Sequence, residues 1–210
     1  MTKILVVDDH TVVRDGVKKM FDEQADTVAF GEASTPHEAI QLVREQDWDI
    51  VVLDLALGGR SGLEVLQELK KLRPTLPVLI LSMYAEEQYA RRAFKAGASG
   101  YITKDCARAE LVGAITTVLH GRKYVSPTLA ELLIIDLERG TVQPLHETLS
   151  TREFEVMCLI ASGKTVSEIA NILALSDKTI STYRARILEK MAMKTNAAIT
   201  HYAIQNKLVS

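Results

Sequence analysis

The chain has little that could cross-link it or anchor it in a membrane. Its 210 residues include two cysteines, Cys106 and Cys158, with no second pair and no nearby histidine partners. Neither a disulfide framework nor a zinc site is suggested, and both thiols read as buried or idle. Apolar runs are short, such as Ile4 to Val7 and Ile50 to Leu53, far below the roughly 18 to 20 residues that a bilayer crossing needs. Met1-Thr2-Lys3 runs into Asp8 and Asp9 before any stretch long enough for a signal peptide, so a cytoplasmic protein without a membrane partner is expected. An excess of one charge is also missing. With 25 basic and 27 acidic residues the net charge is −2, which argues against a protein that coats nucleic acid over its whole surface. Nor is the chain polar enough for disorder, since 47% of it is hydrophobic and 25% charged. The length fits one large domain or two small ones.

The charge is unevenly spread. From Glu147 to the end there are eight basic and six acidic residues, and between Lys178 and Lys194 five basic residues face one acidic. Two domains with different partners are expected.

The first part alternates short apolar runs with amphipathic stretches. Lys3 to Val7, Asp49 to Leu53 and Pro77 to Leu81 are continuous enough to be strands buried on both faces, and Val28 to Ala33 and Gly100 to Thr103 are weaker strands. Between them Val13, Val17, Met20 and Phe21 recur at helical spacing, as do Leu63, Leu66, Leu69 and Leu72 after the Gly58-Gly59 turn. Pro36 to Gln46, Glu86 to Ala96 and Arg108 to His120 complete a series of five strands and five helices. Such alternation predicts an α/β fold, a doubly wound parallel sheet whose ligands sit beyond the carboxyl ends of its strands.

The residues at those ends are therefore informative. Asp8, Asp9 and His10 follow the first strand, Asp54 the third, Ser82 the fourth and Lys104 the fifth. Crowded carboxylates repel one another and are best kept together by a hard divalent cation, for which Mg²⁺ is the obvious candidate. A flavin phosphate would be repelled by the two aspartates after the first strand. With the cation bound, one carboxylate can act as a nucleophile toward a phosphoryl group, and Lys104 and Ser82 can bind the transferred oxygens.

Residues 4 to 121 resemble the receiver domain of two-component response regulators. Asp8-Asp9 is similar to the family's metal-binding pair, Asp54 in Val51-Val-Leu-Asp-Leu55 to its phosphoacceptor, Ser82 to its switch hydroxyl and Lys104 to its phosphate-binding lysine. Tyr101 stands at the switch aromatic. The resemblance implies that a sensor histidine kinase donates the phosphoryl group to Asp54, that Ser82 moves toward it, and that Tyr101 turns inward behind. It also implies that Asp8, Asp9, Asp54 and the backbone carbonyl of Ala56 hold the metal. One departure is Gly58, followed by Gly59, where family members commonly carry proline.

After a loosened stretch broken by Gly121, Pro127, Gly140 and Pro144, in which Leu129 to Leu137 suits one helix, the pattern becomes wholly helical. Ser150 and Glu153 have capping-box spacing, and the helix they start ends near Gly163. Val166, Ile169, Ala170 and Leu173 mark a short second helix. Ser176 or Asp177 can cap a third, with Ile180, Tyr183, Ile187 and Met191 on one face. On its other face Lys178, Ser181, Thr182, Ala185 and Glu189 are small or polar enough for the helix to enter a major groove, with Lys178, Arg184, Arg186 and Lys190 reaching for phosphates. This is a helix-turn-helix pattern.

Residues 148 to 208 resemble the LuxR-type helix-turn-helix domain, in Leu149-Ser-Thr-Arg-Glu153, Glu168-Ile-Ala170 and Lys178-Thr179-Ile-Ser-Thr-Tyr183-Arg184. A receiver joined to such a domain is the plan of the NarL/FixJ subfamily. The expected organisation is a receiver at 1–121, a linker with a helix at 122–146 and a small four-helix DNA-binding domain at 147–210. The resemblance implies a transcription factor, not an enzyme, that forms a homodimer on phosphorylation and binds double-stranded promoter DNA. A fourth helix, Ala197 to Gln205, would dimerise. Ser181 and Tyr183 depart from the lysine and histidine that many members carry. The acidic residues alone also suit a Mg²⁺-dependent phosphohydrolase, although Leu55, Ala56 and Leu57 offer no second acid beside Asp54.

Overall fold

The structure, a computed structural model, describes residues 1–21, 27–57, 60–131, 134 and 144–209. They form two units, Met1–Ala130 and Glu131–Ser210.

The first unit is built on five parallel strands: β1 (Thr2–Val7), β2 (Val28–Ala33), β3 (Ile50–Leu53), β6 (Val78–Ser82) and β7 (Gly100–Thr103), in the order β2-β1-β3-β6-β7. Their central runs are buried on both faces, as unbroken apolar sequence requires. The helices are α1 (Thr11–Lys19), α2 (Pro36–Glu45), α3 (Gly62–Leu72), α4 (Glu86–Lys95) and α5 (Arg108–Leu119). Alternate strand residues Ile4, Val6, Ile50, Val52, Leu79 and Leu81 form one core with Val17 of α1 and Leu111, Ile115 and Val118 of α5. The intervening Leu5, Val7, Val51, Leu53 and Ile80 point to the opposite face and are equally buried.

A feature absent from the sequence reading is a two-stranded antiparallel hairpin, β4 (Ala56–Leu57) with β5 (Arg60–Ser61), which pairs Ala56 with Ser61 and Leu57 with Arg60. Two-residue strands leave no periodic trace. Gly58 and Gly59 lie outside the described residues, and with them the expectation about that turn.

Beyond α5 the chain stays with this unit, past the expected boundary at 121. Tyr124 makes a parallel bridge to Gly100, its N–H donating to the Ser99 carbonyl at 2.9 Å. The Ser126 hydroxyl donates to Glu86 at the start of α4 and accepts from Leu129 N–H. Residues 127–131 and 134 are helical, and the rest of the helix expected at Leu129 to Leu137 lies outside the described residues.

The second unit has a short turn of 3₁₀ helix at Leu145–Thr148, then α6 (Thr151–Ala161), α7 (Val166–Leu173), α8 (Asp177–Lys190) and α9 (Asn196–Gln205). Ser150 and Glu153 form the expected capping box on α6, and Thr165 with Glu168 forms another on α7. Ser176, not Asp177, caps α8, accepting from Thr179 N–H at 3.1 Å. Helix α7 ends on Ala174 in the left-handed region at φ 51°, which gives the tight turn between the two helices without a glycine. Phe154, Met157, Ile169, Ile180, Ile187, Met191 and Ile199 fill the interior. Among the described residues no helix is long and apolar enough to cross a membrane.

Candidate functional site

Backbone pairing carries the sheet just past its strand ends and sets the site residues in place. Asp8 N–H donates to the Ala33 carbonyl at 3.1 Å, Asp54 N–H to Val7 at 2.9 Å, and Lys104 N–H to Ser82 at 2.8 Å. The structure brings the side chains of Asp8, Asp9, Asp54 and Lys104 together and sets Ser82 beside Lys104 through the backbone.

Lys104 is the hub. Its Nζ lies 2.6 Å from Asp54 Oδ2 and 2.7 Å from Asp8 Oδ2, and both carboxylates are almost wholly buried. Burial alone would lower the lysine's pKa, but the two carboxylates outweigh it and raise it. Asp54 is driven upward by burial, with Lys104 opposing. The other Asp54 oxygen accepts from Ala56 N–H at 3.1 Å. The carboxylates of Asp8, Asp9 and Asp54 and the His10 ring offer ligand atoms within 4.8 Å of one another. Hard carboxylate oxygens, two of them buried and one at the surface, suit a cation such as Mg²⁺ in chemistry and charge. Asp9, more exposed than the others, and His10 close the outer side, with His10 Nδ1 at 2.8 Å from Asp9 Oδ1 and 3.2 Å from Asp8 Oδ1.

Ser82 ends β6, fully buried, and its hydroxyl accepts from Tyr84 N–H at 3.3 Å. Tyr101 is also fully buried and already turned inward, donating its hydroxyl proton to the Tyr84 carbonyl at 2.7 Å. Burial pushes its phenol well above the ordinary range. The Tyr84 ring stacks on Tyr89 of α4, with centroids 4.5 Å apart.

Sequence reasoning missed Gly62. A Cβ there would collide with the Asp54 carbonyl oxygen and the Leu55 backbone, so only glycine lets α3 start so close to the strand end that carries Asp54. The signal was available in the Ser61-Gly62 step, but spacing alone does not reveal a backbone approach.

In the second unit, α8 turns Ile180 and Ile187 inward and leaves Lys178, Ser181, Thr182, Ala185, Arg186 and Lys190 exposed. Thr179, Tyr183 and Arg184 are half-buried. The basic residues differ from one another in a way the periodicity did not show. Arg184 Nε donates to Asn196 Oδ1 at 2.6 Å, and Lys190 Nζ donates to the buried Glu153 carboxylate at 2.6 Å. Both are engaged within the domain, whereas Lys178 and Arg186 stand out from it.

Residues 4–116 match the family described as response regulator receiver domain, and residues 147–203 the family described as bacterial regulatory proteins, luxR family. The response regulator GacA of Pseudomonas aeruginosa is 33% identical over 100% of this chain and 98% of its own length. UvrY of Escherichia coli is 31% identical over 99% of this chain and 96% of its own. A solved LuxR-family two-component response regulator from Aurantimonas sp. is 39% identical over 66% of this chain and 99% of its own, with a TM-score of 0.60. RcsB from Salmonella enterica serovar Typhimurium, bound to promoter DNA in the presence of the phosphomimetic BeF3−, covers 96% of this chain and 97% of its own at 26% identity and a TM-score of 0.60. The five-stranded parallel sheet and the helical second unit agree with these likenesses, and the chain belongs to the NarL/FixJ-type response regulators, transcription factors with a receiver domain and a LuxR-type DNA-binding domain.

Proposed function

We propose that Asp54 accepts a phosphoryl group from a sensor histidine kinase and that the phosphorylated chain forms a homodimer that binds double-stranded promoter DNA through the helix at 177–191. The observation that carries this reading is the meeting of Asp54, Asp8 and Lys104 at the carboxyl end of the sheet, with Lys104 within 2.7 Å of both acids.

An Asp54 carboxylate oxygen bonds to phosphorus as the bond from phosphorus to the donor's imidazole nitrogen breaks. Asp8, Asp9, Asp54 and the Ala56 carbonyl would hold Mg²⁺, which supplies positive charge against the phosphoryl oxygens. Lys104 is close enough to Asp54 to exchange its carboxylate bond for one to a transferred oxygen, and Ala56 N–H is already turned toward Asp54. Ser82 supplies a hydroxyl for another oxygen. Any movement of Ser82 is felt at Tyr84, whose N–H bonds to its hydroxyl and whose carbonyl holds Tyr101. From there the neighbouring Tyr89 and Glu86 carry the change into α4.

On the DNA side, Ser181, Thr182 and Ala185 would face bases. Lys178 and Arg186 would face phosphates, and Thr179, Tyr183 and Arg184 would flank them. Lys190 contributes chiefly through Glu153.

Acetyl phosphate and Mg²⁺ added to the purified chain should give one phosphoryl adduct by intact mass and a shift to dimer in solution size. Asp54→Ala should give neither. Labelling that persists in Asp54→Ala would overturn the assignment.

A further inference from the structure

The turn between β1 and α1 carries two of the carboxylates, and its main chain is held by one side chain that neither the sequence motifs nor the site description uses. Arg14 sits in α1, its side chain 12% exposed. Its Nη1 donates to the Asp8 carbonyl oxygen at 2.7 Å, its Nη2 to the Thr11 hydroxyl at 3.2 Å, and its Nε to Glu32 Oε2 at 2.9 Å. Glu32, on β2, is anchored in turn by Lys18 Nζ, 2.6 Å from its other oxygen. Lys18 and then Arg14 hold the Glu32 carboxyl below the usual carboxylate range, against its partial burial.

The Asp8 carbonyl belongs to the peptide that joins Asp8 to Asp9. The Asp8 side chain is already fixed by Lys104, whereas Asp9 is held more loosely, its side chain 36% exposed and bonded to the exposed His10 ring. Clamping that peptide plane sets the direction in which the Asp9 side chain leaves the backbone. A guanidinium suits the task because its planar donors reach several acceptors at fixed angles, which an ammonium cannot do.

We propose that Arg14 is a positioning residue of the metal site: by holding the Asp8–Asp9 peptide against Glu32 and Thr11, it keeps the Asp9 carboxylate turned toward Asp54. The proposal rests on the reading of this acidic site as a Mg²⁺ site. Arg14 acts through Asp8 and Asp9 and touches neither the cation nor the phosphoryl group.

The test uses the full chain with Arg14→Lys and Arg14→Ala. Mn²⁺ binding is followed by electron paramagnetic resonance, and phosphorylation by acetyl phosphate is followed as Mg²⁺ is raised. Both variants should bind Mn²⁺ on the order of tenfold more weakly than wild type, the scale seen when an outer partner of a metal ligand is removed. The Mg²⁺ concentration for half-maximal phosphorylation should rise in parallel, while the rate at saturating Mg²⁺ returns to within about twofold of wild type, since the groups that contact the phosphoryl are intact. Lysine should rescue little, because the fork and not the charge does the holding. Wild-type Mn²⁺ affinity in both variants would overturn the proposal and leave the metal site standing. So would a lowered rate that saturating Mg²⁺ fails to recover, accompanied by a lower melting temperature, since that marks a role in folding alone. Failure of wild type itself to bind Mn²⁺ would instead overturn the metal-site reading, and the proposal with it.

Discussion

Burial takes the Asp54 carboxylate out of water and raises its pKa, and the Lys104 ammonium offsets only part of that. The folded value lies above the unfolded one, so this residue favours the fold at low pH, and that contribution is lost as pH rises through the folded value. Above that value the buried, ionised Asp54 costs stability. Asp54→Asn keeps an oxygen for Lys104 and removes the buried charge. The variant should melt roughly 2–4 °C above wild type in metal-free buffer at pH 7, a shift of about 1 kcal/mol for a chain of this size, and the gap should narrow toward pH 4. Calorimetry on both proteins at the two pH values checks this, and a lower melting temperature for the variant at pH 7 would contradict it. Of the candidate site, Asp8, Asp9, Asp54, Ser82 and Lys104 stood out in the sequence because each lies at the carboxyl end of an expected strand. Arg14 and Gly62 were not, since the one acts through a backbone carbonyl and the other through what its missing Cβ allows.

At the scale of the element, α8 separates two kinds of lysine. Lys178 lies exposed at the amino end of the helix, while Lys190 at its carboxyl end is tied to Glu153 of α6, a residue 3% exposed that also closes the capping box with Ser150. Burial pushes the Glu153 carboxyl up, but Lys190 and Ser150 outweigh it and hold it below the ordinary value. A carboxyl lowered by folding contributes stability above its unfolded value and loses it as pH falls through the folded one. Lys190→Met should therefore destabilise the second unit by about 1 kcal/mol at pH 7, with the difference fading in acid. Lys178→Ala should leave the melting temperature unchanged and lower the slope of DNA affinity against salt by about one. Thermal melts at pH 7 and pH 4, and binding titrations at several salt concentrations, separate the two. Equal salt slopes for wild type and Lys178→Ala would remove this lysine from the phosphate contacts. Periodicity placed Ile180 and Ile187 inward correctly, and three of the five strands were readable from continuous apolar runs, with β2 and β7 a weaker reading. It could not pair Lys190 with a glutamate 37 positions away, nor reveal β4 and β5, whose two-residue strands have no repeat to read.

Over the whole molecule, the divide between the two units falls after Ala130 and not at the end of α5. Charge and composition located two domains, but the boundary depends on Tyr124 and Ser126, whose contacts with Gly100, Ser99 and Glu86 are tertiary and leave no local pattern. The bridge from Tyr124 to Gly100 has a further consequence for any shortened chain. β7 is the last strand of the sheet, and its outer side is covered at Gly100 by the backbone of Tyr124. A fragment ending at 121 loses that cover and exposes an unpaired strand edge, the usual template for adding a strand from another molecule. Such a fragment should self-associate with or without phosphorylation, and equally in Asp54→Ala, whereas a fragment ending at 131 should respond to Asp54 alone. Light scattering on the two lengths distinguishes them, and matching behaviour would show that the Tyr124 segment does not guard the edge. A cut after 131 keeps the strand edge paired at Gly100, and a cut after 121 leaves it bare.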